Sequence, residues 1–207
     1  VVVTDELGSA ADFVLVEVLR DGRKGGKKAM ILSVSGSVAK WGSVLGKYNI
    51  PAASEAVHFV DVVDVVEESG LGGVVDRVEG FLRGGGGNGG VVILDDISTL
   101  EWIGIASGVE LGRFCRALRG VCQKNHTMLL IRHHSTNDEV FGGLHALCTY
   151  HVDVQPLASG PSAAVSGQIA LHRGPNTTST SASTRPRSKA LQYKLTDTSA
   201  IYFERGT

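Results

Sequence analysis

Two adjacent carboxylates, Asp95 and Asp96, close a run of four apolar residues, Val91-Val92-Ile93-Leu94. Such a run reads as a strand buried on both faces. An acid at its carboxyl end can hold Mg²⁺, or a magnesium-bound water, beside a nucleotide. That chemistry needs a second part, a G-x-x-x-x-G-K-[ST] loop whose backbone N–H groups and lysine cradle the phosphates. The chain contains no such loop. Two stretches come near it, one from Gly22 through Gly26 to Lys27 and Lys28, the other from Gly42 through Gly46 to Lys47 and Tyr48. Each is one residue short between its glycines, and neither has Ser or Thr after the lysine. The first also precedes a strand instead of following one. Residues 4–12, which follow the first strand, stand where the phosphate loop belongs. They hold one glycine and three acids, Asp5, Glu6 and Asp12. Carboxylates in that place repel a triphosphate. The chain reads as an ATPase core without its phosphate grip.

Each remaining candidate has a plain structural reading beside the functional one. Asp95 and Asp96 can also cap the turn that follows them, with Ser98 or Thr99 opening the next segment; without a phosphate loop this reading is favoured. Asp61, ending the third strand, stands where RecA-like ATPases place a catalytic carboxylate, but a relic or a surface acid is the favoured reading. Arg113, Arg116 and Arg119 recur every three residues along one helix edge. They could meet RNA phosphate or the acids of a neighbouring subunit; a solvated helix face is the commoner explanation. Arg132, His133 and His134 leave the carboxyl end of the fifth strand, the edge at which open α/β sheets place ligand loops. Adjacent histidines on a strand face opposite ways and make a poor metal pair. Cys115 and Cys122 lie on an apolar helix face and read as core. No close Cys/His pairs have zinc-ligand spacing. Arg185, Arg187 and Lys189 cluster at the end of a hydroxyl-rich loop. A basic loop of that kind can grip an RNA backbone, and a solvated loop explains it equally. No catalytic residue, metal ligand or cofactor is expected.

The elements that must place these residues alternate. Strands are expected at 1–3, 29–34, 57–60, 91–94 and 128–131. Helices are expected from Ser9, as N-cap, to about Arg20, from Ser37 to about Tyr48, near 74–82, and along the stretch holding Leu111, Phe114, Cys115, Leu118, Val121 and Cys122. Alternation of this kind predicts an α/β fold with a parallel sheet and helices on both faces. After about residue 147 the pattern changes. Runs at 150–154, 168–172, 191–195 and 201–204 predict antiparallel extensions of the sheet. Residues 84–90 read as a flexible glycine-rich insertion and 174–188 as a mobile Ser/Thr/Pro-rich loop.

With 207 residues the chain can bury a sizeable core as one domain. Its formal charge of −1 gives no global attraction to nucleic acid or membrane, so any RNA contact must be local. No apolar run approaches the roughly 18 residues that span a bilayer. No signal peptide is expected, and three cysteines without framework spacing fit a reducing compartment.

The order of these features resembles a known family. A degenerate first loop is followed by 91–100 (Val-Val-Ile-Leu-Asp-Asp-Ile-Ser-Thr-Leu) and a long helix carrying Phe114, Cys115 and Arg116. The stretch 37–47 and the ending 191–203 (Leu-Gln-Tyr-Lys-Leu-Thr-Asp-Thr-Ser-Ala-Ile-Tyr-Phe) agree as well. Together they are similar to the family of the sixth subunit of the Elongator complex, over nearly the whole chain. The resemblance implies a RecA-like (KaiC-like) fold lacking Walker A, in a single domain over 1–207. It implies assembly with Elongator subunits four and five into a heterohexameric ring, two copies of each. That ring binds tRNA and docks on the catalytic Elongator subcomplex, which modifies C5 of the wobble uridine. It implies cytoplasmic and also nuclear location, and no catalytic residue in this subunit. Loops near 99–108 and 133–141 would then face RNA, with Arg132, His133, His134, Arg185, Arg187 and Lys189 as contacts. Arg113, Arg116 and Arg119 would serve a subunit interface. Two alternatives remain open: an ATPase with an unconventional nucleotide site, and a pure assembly adaptor whose RNA contacts all come from its partners.

Overall fold

The apolar runs become strands. The computed structural model describes residues 1–6, 8–50, 57–84, 89–134, 139–160, 162, 164–178 and 184–204. Its strands are β1 Val2–Thr4, β2 Ala29–Ser33, β3 Val57–Asp61, β4 Val91–Asp95, β5 Met128–His133, β6 Tyr150–Gln155, β7 Gly167–Arg173, β8 Leu191–Leu195 and β9 Ala200–Phe203. The helices are α1 Asp12–Gly22, α2 Val38–Lys47, α3 Val62–Arg83, α4 Ile97–Trp102, α5 Gly108–Lys124 and α6 Glu139–Leu147. The fold is α/β, mostly parallel, with antiparallel C-terminal strands and helices around the sheet, as expected.

The chain divides into two compact units: Val14–Arg132, and Val1–Phe13 with His133–Thr207. In the continuous unit the strand order is β3-β2-β4-β5, all parallel. Every residue of β2 and β4 is buried, which explains why these strands read as unbroken apolar runs and not as alternating ones. Ile31, Leu32, Ile93 and Leu94 are fully buried, each contributing up to about 1.5–3 kcal/mol by leaving water. The second unit runs β1-β6-β7-β8-β9; β1 is parallel to β6 and the remaining pairs are antiparallel. Phe13 packs against Tyr193 with ring centroids 4.6 Å apart and planes tilted by 35°, anchoring its core. Burial raises the Tyr193 phenol above its ordinary pKa, against the lowering effect of its hydrogen bond with Ser9.

Helix ends follow local chemistry. Ser37 caps α2 as expected, its hydroxyl accepting from the Lys40 N–H at 3.3 Å. Ser107 and Glu110 form a reciprocal capping box at α5, whose buried stripe of Leu111, Phe114, Cys115, Leu118 and Cys122 matches the expected periodicity. Three expectations need correction. Ser9 does not cap α1; its hydroxyl bonds the Tyr193 phenol at 2.7 Å, and the helix begins at Asp12. The helix near 74–82 extends back to Val62, turning at Gly70, where φ 67° and ψ −177° break the helical path. The loop 174–188 is held at its far end: Arg185 exchanges backbone hydrogen bonds with Leu171, and Arg187–Lys189 form a 3-10 turn. Most of the glycine insertion, 85–88, lies outside the described residues, as do 179–183 of the Ser/Thr loop. Among the described residues no helix is long and apolar enough to cross a membrane.

Candidate functional site

The carboxyl end of β4 carries the acids that nucleotide chemistry would use. Asp95 is wholly buried. The Trp41 indole Nε1 of α2 donates to Asp95 Oδ2 at 3.2 Å and also to Ser33 Oγ at 3.2 Å. Ser33 in turn donates to the Gly36 carbonyl at 2.7 Å. On the other side, Arg132 Nη1 of β5 lies 3.3 Å from Asp95 Oδ1. Parallel pairing of β2, β4 and β5 brings Ser33, Asp95 and Arg132 to the same sheet end. Asp95 is therefore the centre of an internal polar cluster that fastens α2 and β5 to β4. Asp96 turns away from metal chemistry in another manner. It adopts the left-handed conformation, φ 61° and ψ 71°, and caps α4. Its carboxylate accepts from the Thr99 N–H at 3.3 Å and the Thr99 hydroxyl at 2.6 Å, the capping role weighed for it from sequence. Asp61 caps α3 in the same way, accepting from the N–H groups of Val63 and Asp64.

The loop after β1 shows a comparable inward arrangement. Asp5 is 2% exposed, and its Oδ2 accepts from the Ala11 N–H at 2.7 Å, just ahead of α1. Its Oδ1 pairs with His134 Nδ1. The start of a helix presents free N–H groups and the positive end of its dipole, the feature that binds phosphate in nucleotide enzymes. Here a carboxylate of the chain takes the anion's place. Sequence reasoning saw acids that repel phosphate; it did not see that one of them substitutes for it.

The RNA candidates separate into four kinds. Arg132, 4% exposed and paired with Asp95, and His133, 1% exposed, are buried, so the expectation that they meet a phosphate backbone is corrected. His134 is committed to Asp5. Arg185 reaches Glu204 at 2.5 Å and Arg187 reaches the buried Asp153 at 2.6 Å, so each offers RNA a cation already compensated by an acid. Lys189 remains exposed. The loop segment 135–138 lies outside the described residues. Residues 99–108 form most of α4 and the entry to α5. Arg113 and Arg116 are exposed and Arg119 half-buried, on the outer side of α5.

A polar cluster that sequence reasoning missed lies on β6 and β7. Thr4 Oγ1 meets His151 Nε2 at 2.7 Å and donates to Asp153 Oδ1 at 3.4 Å, so the His151 ring is placed to donate through Nε2. His172 stacks on His151 at 5.5 Å, while Phe141 and His145 of α6 close around it. Burial pushes the His151 pKa down to about 4; Asp153 opposes this, while His172, His145 and Arg187 add to it. Alternation along β6 could have flagged His151 and Asp153 as same-face residues, but their partners come from β1, β7 and the 3-10 turn. Among the described residues no group of three or more His, Cys, Asp or Glu side chains could hold a metal ion. Burial raises the Cys115 and Cys122 thiols to about 12, so both are inert core groups.

No known family matches the chain, and no curated protein matches it. Among solved structures it is similar to a KaiC-like protein from the hyperthermophilic archaeon Pyrococcus horikoshii. The TM-score is 0.72 at 7% identity, covering 98% of this chain and 88% of that one. An identity that low speaks for the fold alone. The fold is RecA-like, of the KaiC-like kind.

Proposed function

We propose that this chain is a RecA-like subunit that has given up nucleotide chemistry and acts through assembly: the sixth-subunit role in the Elongator accessory ring, beside subunits four and five. In that role it supports tRNA binding and wobble-uridine C5 modification by the catalytic Elongator subcomplex, in the cytoplasm and also the nucleus. The observation that carries the non-catalytic reading is the Asp5 carboxylate on the Ala11 N–H. A γ- or β-phosphate would have to displace a buried anion from the helix start it already satisfies. The engagement of Asp95 with Trp41 and Arg132 supports the same reading from the magnesium side. The Elongator assignment is supported by the sequence likeness at 37–47, 91–100, 114–116 and 191–203.

The adaptor form of this reading gains from a specific observation. Of the RNA candidates, Arg132 is buried, while Arg185 and Arg187 are paired with acids. Lys189 alone stands exposed without an acid partner among the described residues. Three measurements test the proposal. Titration calorimetry of the chain with Mg·ATP is expected to show no binding; micromolar binding that disappears in Asp95→Ala overturns the non-catalytic reading. Co-expression with Elongator subunits four and five is expected to give a complex holding two copies of each. In that ring, Lys189→Ala is expected to lower the slope of log affinity for tRNA against log salt by about 0.7–0.9 for each phosphate contact removed. An unchanged slope leaves RNA contact to the partners.

A further inference from the structure

The connection from α1 to β2 is the most basic stretch of the chain. Residues 20–28 hold five cations, Arg20, Arg23, Lys24, Lys27 and Lys28, against one acid, Asp21. That is a net +4 in a chain whose formal charge is −1. Asp21 engages Lys24 at 2.8 Å, in the open. Lys27 and Lys28 stand in no ion pair among the described residues. The fold brings more positive charge to the same edge. Strands β2, β4 and β5 are parallel neighbours, with Ala29 opposite Val91 and Val91 opposite Met128. The Val91 N–H donates to the Lys28 carbonyl and the Met128 N–H to the Gly90 carbonyl. Lys28 therefore shares a sheet end with the α5–β5 turn and its Lys124, two strand spacings or about 10 Å away. Lys27 is held there too, since a Cβ on Gly89 would come within 2.9 Å of its Nζ. All of these residues belong to the unit Val14–Arg132. Arg20 and Lys124 occupy the last turns of α1 and α5, where a cation offsets the helix dipole. Lys27 and Lys28 lie past the helix and have no such local duty.

The company these cations keep selects the occupant. Among the described residues Met128 is the one large apolar side chain exposed at this sheet end. Protein interfaces are anchored by buried aromatic and other large side chains, and membrane-surface segments insert them. A nucleic-acid backbone needs neither, because its repeated phosphates are held by Lys and Arg through release of counterions. Gly25 and Gly26 form the crest of the turn, with φ 77° and 76°, and nothing lies within 4 Å of where a Cβ would stand. The backbone between Lys24 and Lys27 is thus bare, and a phosphate can approach it between the flanking ammonium groups. No aromatic ring lies in 20–28 to stack a base, so the stretch holds phosphates without reading sequence. We infer that this sheet end, opposite the one that carries Asp95 and centred on Lys24, Lys27 and Lys28, is a sequence-independent binding surface for a nucleic-acid backbone. The surface concerns the chain alone and does not rest on its place in a ring.

Fluorescence anisotropy of a labelled oligouridylate, titrated with the full chain, tests this. Wild type is expected to bind saturably at about 0.05 M salt and more weakly as salt rises. Lys27→Ala combined with Lys28→Ala is expected to weaken binding about fivefold or more, and to lower the slope of log affinity against log salt by about 1.4, two contacts of about 0.7 each. Lys40→Ala combined with Lys194→Ala removes the same charge from exposed positions elsewhere and is expected to leave that slope unchanged. Oligothymidylate of the same length is expected to bind within about threefold of oligouridylate, because the phosphates are shared. Poly-glutamate and phosphatidylserine vesicles are expected to bind about tenfold more weakly or worse, for want of phosphodiester spacing or of apolar anchors. A wild type that binds neither oligonucleotide at high micromolar concentration overturns the inference. So does an equal loss in both double variants, which makes net charge and not a place the cause. Tighter binding to poly-glutamate or to the vesicles overturns it in favour of an acidic protein or a membrane. Should the Lys27/Lys28 variant fail to fold, Lys24→Glu takes its place, at a side chain 75% exposed. It is expected to weaken oligouridylate binding about fivefold, and wild-type affinity in that variant overturns the inference.

Discussion

The pairing of Asp95 with Arg132 shows how a residue's chemistry is set by burial. Both side chains are at most 5% exposed, so neither charge is compensated by water. Removing one partner strands the other in a low-dielectric interior, which costs about 3–5 kcal/mol, whereas replacing both with apolar groups of similar size is close to neutral. Asp95→Ala and Arg132→Ala are each expected to lower unfolding free energy by that amount in urea titration. Asp95→Leu combined with Arg132→Met is expected to recover most of it. Single variants that cost under about 1 kcal/mol would show that the pair is not desolvated. Trp41 reports the same site independently, since its indole N–H loses an acceptor when Asp95 is removed. The sequence displayed Asp95 as an acid at a strand end and Arg132 as a cation beside a loop. It could not display the pair, because the two residues meet only when β4 and β5 align. Asp5 and His134, 129 positions apart, were hidden for the same reason. Local roles were legible: Asp96 and Ser37 cap the segments that follow them, because capping needs only three or four residues of context.

Helix α3 shows where element-level reading succeeds and where it stops. Apolar periodicity announced its second half. The stretch Ser69-Gly70-Leu71-Gly72-Gly73 reads as a helix breaker, and it concealed the first half. The two halves join through one residue, since only Gly70 in the helix leaves the helical region. A side chain at Gly70 would meet no atom within 4 Å, so substitution there is opposed by backbone conformation alone. Gly70→Ala is expected to lower stability by about 1–3 kcal/mol. Gly72 also has open space around it but a helical backbone, and Gly72→Ala is expected to raise stability by about 0.5–1 kcal/mol. Thermal melts of the two variants should therefore move in opposite directions. Two shifts of the same sign would remove Gly70's special role. Helices α4 and α6 were not read at all. Each has fewer than ten residues, too few turns for a period to emerge. Strands β2 and β4 were legible nearly to the residue, because full burial writes itself as an almost unbroken apolar run.

For the molecule as a whole, pH reaches stability through His151. Its folded pKa of about 4 lies below the ordinary 6.5. The unfolded chain therefore binds more protons than the folded one between those values, and stability rises with pH across that window. The contribution is fully present above about pH 6.5 and lost as pH falls toward 4. After allowance for solvent screening it amounts to on the order of 2 kcal/mol. Urea titrations from pH 7 to pH 4 are expected to show this loss, and His151→Gln is expected to flatten it. If the variant loses stability along the same curve as wild type, other groups govern the acid limb. His172, His145, Asp153 and Arg187 face the same ring, so the slope reports the cluster as well as the single residue. The α/β order and the change to antiparallel pairing after β6 were legible in the sequence, since alternation of period two and period 3.6 survives without tertiary contacts. The division into units was not, because it depends on which strands find each other over long separations.

That division has a consequence for the order of events during synthesis. Strand β1 pairs with β6, Val2 opposite His151, while the unit Val14–Arg132 is one uninterrupted stretch placed between them. On the ribosome, Val2 and Val3 emerge ahead of the whole stretch Val14–Arg132, and their partners His151 and Val152 emerge after it. At about 5–20 residues per second the apolar strand waits roughly ten to thirty seconds for β6. The inserted stretch, with all the partners of its own parallel strands at hand, can fold in that interval. The nascent chain is thus expected to hold a completed unit preceded by an unpaired β1, and shelter from chaperones matters most at Val2 and Val3 until β6 emerges.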